Sequence, residues 1–129
     1  MILVDSSVWI DFFNGKEEKH VEKLYALLGN EVIVTGDLIM VEVLQGFKID
    51  SQFLQAKEAM ETLPYFNLCN KEIALQSAEN YRVLRKKGVT IRKTIDMILA
   101  TFCINNNFKL LHTDKDFLPM EEFLGLQKV

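Results

Sequence analysis

The sequence predicts an α/β fold, a three-layer α/β/α sandwich with a parallel sheet of about five strands. Short apolar runs alternate along the chain with longer segments in which apolar residues recur at helical spacing. The apolar runs are continuous rather than alternating, which is typical of parallel strands buried on both faces. A chain of 129 residues with 49% hydrophobic and 26% charged residues is expected to form a single domain over residues 1–129.

The N-terminal half is predicted to contain two strands and four helices. "ILVD" at 2–5 is the first strand, and Ser6 or Ser7 can cap the short helix that follows and ends at "NGK". Gly29 and Pro64 are stop signals for later helices. The remaining elements are a helix over 17–28, a strand over 32–34, and helices over about 37–48 and 51–62.

The C-terminal half is predicted to supply three more strands. A strand over 65–69 leads to Asn70, which caps a helix running to about Lys87, and Thr94 caps another running to about Asn106. The last elements are a strand over 109–114, a short helix over 117–123 and a strand over 126–128. Sheets of this kind bind ligands at the carboxyl ends of their strands, near the point where the strand order reverses.

Composition and terminal features narrow the class of protein. The formal net charge of −3 argues mildly against a protein that coats nucleic acid. No apolar stretch is long enough to cross a bilayer and no secretory signal is visible, so a cytoplasmic protein without a membrane association is expected. Cys69 and Cys103 lie inside apolar segments, and their spacing fits neither a disulfide framework nor a zinc site.

Two acids come at the ends of predicted strands. Asp5 ends "ILVD" and Asp114 ends "KLLHTD", and each follows a run of aliphatic residues. Because the carboxyl ends of parallel strands meet at one edge of a sheet, both side chains are expected to emerge at that edge. Either residue taken alone could equally be a helix N-cap.

Two further acids lie inside apolar helices. Glu42 is the only charged residue in "LIMVEVLQGF", and Asp96 is the only one in "TIDMILATFCI". The helix dipole favours an acid in the first turn by about 0.3–1 kcal/mol, whereas burying a lone carboxylate costs several kcal/mol. A cation is therefore expected beside Asp96. No cluster of His or Cys accompanies these acids, so the donor set favours Mg²⁺, with Mn²⁺ able to substitute, over zinc.

Four stretches in a fixed order carry a family resemblance: "VDSSVWIDFF" at 4–13, "DLIMVEVLQGF" at 37–47, "GVTIRKTIDMILATFC" at 88–103 and "LLHTDKDF" at 110–117. Together they resemble the PIN-domain nucleases, in particular the VapC-type toxins of toxin–antitoxin pairs. The resemblance covers essentially the whole chain.

The family's catalytic, metal-binding acids fall on the residues already singled out, which are Asp5, Glu42, Asp96 and Asp114. Glu42 binds the same or a second ion, or it orients the attacking water. Ser6 and Thr113 match the family's small hydroxyl residues and are expected to hydrogen-bond to the carboxylates or to ordered waters. Asp116 is a fifth acid of the site or the N-cap of the helix over 117–123. Asp11 is expected to be solvated and away from the site.

The resemblance also implies an activity and a set of partners. It implies a Mg²⁺-dependent endoribonuclease that is the toxin of a VapBC-type pair and is inhibited by a cognate VapB-type antitoxin. It further implies a homodimer that reaches DNA only indirectly, through the antitoxin. Arg92 and Lys93 are the candidate RNA-binding residues because they immediately precede Asp96, whereas the basic run over 82–87 is more typical of a solvated helix end.

Other classes of protein fit the pattern less well. A phosphoacceptor receiver domain needs an acceptor Asp after its third strand, and "YFNLCN" contains none. A haloacid-type phosphatase needs a second Asp two residues after the first, where this chain has Ser7. The remaining alternatives are a PIN-domain nuclease of RNA maturation and a nonenzymatic RNA-binding PIN protein.

Overall fold

The computed structural model describes residues 1–129, which form five strands and seven α-helices. The strands are β1 (Ile2–Val4), β2 (Ile33–Gly36), β3 (Tyr65–Phe66), β4 (Lys109–Leu111) and β5 (Gln127–Lys128). The helices are α1 (Ser6–Phe13), α2 (Lys19–Leu27), α3 (Asp37–Leu44), α4 (Asp50–Glu61), α5 (Lys71–Lys86), α6 (Thr94–Asn106) and α7 (Leu118–Leu124). A 3₁₀ turn, Lys115–Phe117, directly precedes α7.

The strands form one parallel sheet in the order β3-β2-β1-β4-β5. The order reverses at β1, where Leu3 lies opposite Val34 of β2 on one side and Leu110 of β4 on the other. The loops that follow β1, β2 and β4 therefore leave the sheet at the same edge. This architecture confirms the predicted α/β fold with a five-stranded parallel sheet.

The central strands lie in the core and helices cover them. Leu3, Val4, Val34 and Leu110 are completely inaccessible to solvent, as expected for parallel strands covered on both faces. Helix α1 packs on α2 and α3, α3 packs on α4, and α5 packs on α6 and α7. Burial of these apolar surfaces is the main driving force for folding. None of the helices combines the length and the apolar character needed to span a membrane.

Three elements are clearly shorter than the sequence predicts, and one of them is the strand expected over 109–114, which ends at Leu111. The third strand stops at Phe66 because the amide of Leu68 donates to Oδ1 of Asp37, at 2.9 Å, instead of continuing the ladder with β2. Helix α3 ends at Leu44 rather than near residue 48, and Gly46 follows its last turn. Glycine loses more backbone conformational freedom in a helix than any other residue. The chain therefore leaves the helix there.

One predicted helix cap is confirmed and two are wrong. Oδ1 of Asn70 accepts a hydrogen bond from the amide of Ile73 at the start of α5, at 2.9 Å. The N-cap position of α1 is Asp5 rather than Ser6 or Ser7, and no side chain caps that helix. Thr94 is likewise the first residue inside α6, whose N-cap position is Lys93.

Candidate metal centre

Three carboxylates meet beyond the carboxyl end of β4. Asp96 lies in the first turn of α6, and Asp114 and Asp116 lie in the segment after β4. Each offers one oxygen atom, and these atoms all lie within 4.8 Å of one another. Oδ1 of Asp114 accepts a hydrogen bond from the amide of Asp116 at 2.9 Å, which fixes the turn that carries both acids.

Asp96 is the most buried of the three. Only 7% of its surface is exposed, and its Oδ2 atom has no hydrogen-bond partner. Burial raises the pKa of its carboxyl to about 7, and the negative charge of Asp5 adds to the effect. Oδ2 of Asp116 is also buried without a partner. Buried charged oxygens of this kind are costly unless a cation or a donor satisfies them.

Asp5, which directly follows β1, and Glu42 of α3 lie outside this group of three but act electrostatically on Asp96, and each is held by a serine. Ser7 Oγ donates to Oδ2 of Asp5 at 2.6 Å, and Ser6 Oγ donates to Oε1 of Glu42 at 3.1 Å. Burial raises the pKa of Glu42, as does the charge of Asp5, whereas the hydrogen bond from Ser6 acts in the opposite direction. Asp5 and Glu42 also raise the pKa of Asp96, so the acids act on one another electrostatically.

Two exposed cations stand at the edge of the cluster. Nζ of Lys93 lies 3.2 Å from Oδ2 of Asp114, and a guanidinium nitrogen of Arg92 lies 3.5 Å from Oδ1 of Asp116. The pKa of Asp114 is lowered mainly by the backbone hydrogen bond from Asp116, and Lys93 lowers it further. The hydrogen bond to Asp114 in turn raises the pKa of Lys93.

The donor set fits a hard divalent cation. All the converging atoms are carboxylate oxygens, which are the ligands that Mg²⁺ and Mn²⁺ prefer. The buried oxygens of Asp96 and Asp116 have no protein donor, so a cation between the acids would satisfy both. No His or Cys belongs to the group, which disfavours zinc.

Asp116 and Thr113 differ from what the sequence predicts: one is not a helix cap, and the other makes no bond to the acids. Asp116 does not cap the helix after it, because the N-cap position of α7 is Phe117, which has no side-chain cap bond. Asp116 lies instead within the acidic group. Thr113 is exposed, and its hydroxyl makes no hydrogen bond to any of the acids.

Sequence reasoning missed the role of Ser7, which it treated only as a possible cap. The serine hydroxyl bonds to the side chain of Asp5 rather than to a free backbone amide of α1. A serine two residues after an acid at a helix start was the available signal, since such short side chains readily form local hydrogen bonds.

Asp11 lies away from the acidic cluster, as expected, but it is not simply solvated. Its Oδ2 lies 2.6 Å from Nε2 of His20, and its Oδ1 lies 3.3 Å from Nζ of Lys16. Burial acts to raise the pKa of Asp11, but the hydrogen bonds from His20 and Lys16 outweigh it and the net pKa is lowered. The contact between Asp11 and His20 connects the end of α1 to the start of α2.

We expect Asp11→Asn to lower the free energy of unfolding by about 0.5–1 kcal/mol at pH 7, as for a partly exposed ion pair. The lowered pKa of Asp11 means that its contribution is complete above the ordinary aspartate pKa and is lost as pH falls through the folded-state value. The difference between variant and parent in urea denaturation should therefore shrink as the pH falls below the ordinary aspartate value of 3.8 and vanish at the lower pH at which Asp11 is protonated in the folded protein. A difference that stays constant down to that pH would contradict the ion-pair explanation.

Known proteins with similar sequences cover nearly the whole chain. The family model described as "PIN domain" matches residues 2–122. "VapC ribonuclease Mb1587" of Mycobacterium bovis is 27% identical over 98% of this chain and 96% of its own length. "Ribonuclease VapC11" of Mycobacterium tuberculosis matches with the same identity and coverage.

Solved structures share the fold at lower sequence identity. VapBC2 from Rickettsia felis, bound to a DNA fragment from its promoter, contains a chain that superimposes with a TM-score of 0.77 at 17% identity, covering 100% of this chain and 98% of that one. In VapBC-1 from nontypeable Haemophilus influenzae the TM-score is 0.73 at 21% identity, with 100% and 97% coverage. A toxin–antitoxin complex from Klebsiella pneumoniae gives 0.68 at 19% identity, with 91% and 90% coverage.

Proposed function

Because this chain belongs to the PIN-domain family, we propose that it is a metal-dependent endoribonuclease, the toxin of a VapBC-type toxin–antitoxin pair. The observation that carries the proposal is the group formed by Asp96, Asp114 and Asp116, in which buried carboxylate oxygens lack any protein donor. Relatives named VapC ribonuclease, matched over 96% of their length, support this activity and this biological role.

The acids divide the work between them. Asp96, Asp114 and Asp116 would hold Mg²⁺, for which Mn²⁺ can substitute, and Asp5 completes the negative site from β1. A divalent ion in this position supplies Lewis-acid stabilisation of the phosphate and lowers the pKa of water. Glu42 would bind the same or a second ion, or it would orient the attacking water and accept its proton.

Glu42 and Asp5 are kept in position by the two serines that follow β1. The raised pKa of Glu42 makes its carboxylate a stronger base than an ordinary glutamate. The Ser6 hydrogen bond holds one of its oxygens, and the other remains for water. Attack by water, rather than by the ribose 2′-hydroxyl, would leave a 3′-hydroxyl and a 5′-phosphate on the products.

Arg92 and Lys93 would contact the RNA backbone. Their side chains are 80% and 62% exposed and end at the acidic group, so a phosphate near the acids lies within their reach. Arg92 suits a bidentate contact with phosphate oxygens, whereas Lys93 acts as a point charge.

The proposed partners are those of the assemblies in which similar chains are found. We propose a VapB-type antitoxin, a homodimer, and contact with DNA only through the antitoxin, in line with the VapBC assemblies that share this fold. A cytoplasmic location and a single domain over residues 1–129 are parts of the same proposal. A PIN nuclease of RNA maturation would share the chemistry but would lack a neighbouring antitoxin gene.

The purified protein is expected to cut single-stranded RNA in Mg²⁺ or Mn²⁺ and to lose the activity in EDTA, because without a cation the negatively charged acids repel the phosphate and no water is activated. Sequencing of the RNA ends after induced expression should find 5′-phosphates at the new ends.

Asp5→Asn should remove both cleavage and toxicity and leave the circular dichroism spectrum unchanged. Cleavage that survives in EDTA would reject the metal, and normal cleavage by Asp5→Asn would reject the site.

A further inference from the structure

Lys93 is the cation closest to the acidic group on this chain. Its Nζ lies 3.2 Å from Oδ2 of Asp114, and the charges of Asp96, Asp114 and Asp116 all act on it. The ammonium thus pairs with one carboxylate and is acted on by two more, of which Asp96 is only 7% exposed and has a buried oxygen, Oδ2, without a hydrogen-bond partner. Lys93 therefore occupies the edge of the space in which a metal ion would bind.

The position of Lys93 lets its side chain leave without disturbing the helix. The residue is the N-cap of α6, and its carbonyl accepts a hydrogen bond from the amide of Met97 at 3.4 Å, so its backbone is fixed. Asp96 follows three residues later, at a spacing that brings side chains close on one face of a helix start. The flexible four-carbon stem carries the charge, and the side chain is 62% exposed.

We propose that Lys93 is a displaceable counter-ion: its ammonium neutralises Asp114 in the metal-free protein and moves away when a divalent cation binds between the acids. This inference rests on the proposed metal site and adds a second state of Lys93 to it. Once it is released from Asp114, the ammonium is free to contact an RNA phosphate. Metal binding would then come first, and phosphate binding would use the side chain that the metal has displaced.

The size of the effect follows from the exposure of the pair. An exposed ion pair contributes about 0.2–1 kcal/mol, which corresponds to a change in metal affinity of about 1.4- to 5-fold. Low ionic strength increases the effect because it reduces screening between exposed charges. The test is therefore made in about 20 mM salt, where the Debye length exceeds 10 Å.

Calorimetric titration with Mn²⁺ compares Lys93→Gln with the parent protein. We expect Lys93→Gln to bind Mn²⁺ about two- to fivefold more tightly, because the ion no longer competes with the ammonium. Lys115→Gln is the matched control, since Lys115 lies between Asp114 and Asp116 in sequence but is exposed and forms no ion pair. Lys93→Arg, which keeps the charge, should remain close to the parent.

The second readout follows the lysine itself. After reductive ¹³C-methylation, the Lys93 signal is identified by its absence in Lys93→Gln, and Mg²⁺ should move it towards the position of solvated lysines. An equal gain in Mn²⁺ affinity for Lys93→Gln and Lys115→Gln, or a Lys93 signal that Mg²⁺ leaves unmoved, would overturn the inference. If the parent protein binds no Mn²⁺ at all, the proposed metal centre itself fails, and this outcome is distinct from the other two.

Discussion

Replacing Asp96 with asparagine is expected to abolish RNA cleavage and, at the same time, to stabilise the metal-free protein. Loss of activity should exceed about 100-fold, since residues that only support metal ligands already account for 10- to 100-fold. The gain in stability arises because the ionised carboxyl is buried without a partner for Oδ2 and lies near the charges of Asp5, Asp114 and Glu42.

Removing that buried charge is expected to increase the free energy of unfolding by about 1–3 kcal/mol, an increase in melting temperature of several degrees. The measurement is a thermal melt in EDTA at pH 8, where the carboxyl of the parent is ionised. Asp50→Asn is the matched control, because Asp50 also lies in the first turn of a helix but is exposed. If the Asp96→Asn variant is less stable than the parent in EDTA, the ionised carboxylate does not destabilise the metal-free protein and the prediction is wrong.

The second large effect is expected at Gly36, the last residue of β2. A Cβ atom there would lie 2.4 Å from Cγ of Leu68 and 2.4 Å from the carbonyl oxygen of Phe66. The Phe66 oxygen belongs to β3, which pairs with β2 at this point, so it cannot rotate aside. Gly36→Ala should therefore force the two strands apart and lower the free energy of unfolding by about 2–3 kcal/mol.

The consequence of Gly36→Ala should extend to the acids, because α3, which carries Glu42, begins directly after Gly36. Urea denaturation gives the stability, and Gly46→Ala provides the comparison, since the nearest atom to a Cβ at Gly46 is 3.8 Å away. Gly46→Ala is expected to stay within about 0.5 kcal/mol of the parent, as most surface substitutions do. Equal stabilities for the two variants would mean that β3 adjusts more easily than its pairing with β2 indicates.

Periodicity and strand geometry made much of the fold predictable. Continuous apolar runs located the parallel strands, and the rule that their carboxyl ends share an edge predicted that Asp5 and Asp114 emerge at one edge of the sheet. Asp96 and Glu42 were identifiable because an acid inside an apolar helix has no solvated face to occupy. These signals depend on local sequence and on general properties of sheets.

Features that depend on individual side-chain hydrogen bonds were predictable only in part. The bond from Ser6 to a carboxylate was expected from the family resemblance, and the hydroxyl does donate to Glu42. Ser7 is a good N-cap residue, yet its hydroxyl bonds to the side chain of Asp5 instead. Asp116 belongs to the acidic group because Oδ1 of Asp114 accepts its amide hydrogen bond and tightens the turn. The early end of β3 likewise depends on the distant Asp37.

The pairing of β1 with β4 also determines when the acids can meet during synthesis. These neighbouring strands lie far apart in the sequence, with Ile2 opposite Lys109, so their pairing closes a long loop whose entropic cost other contacts must offset. A nascent chain therefore carries Asp5 and Glu42 long before Asp114 and Asp116 have been translated. The acidic group therefore cannot assemble until the ribosome has added the residues up to Asp116.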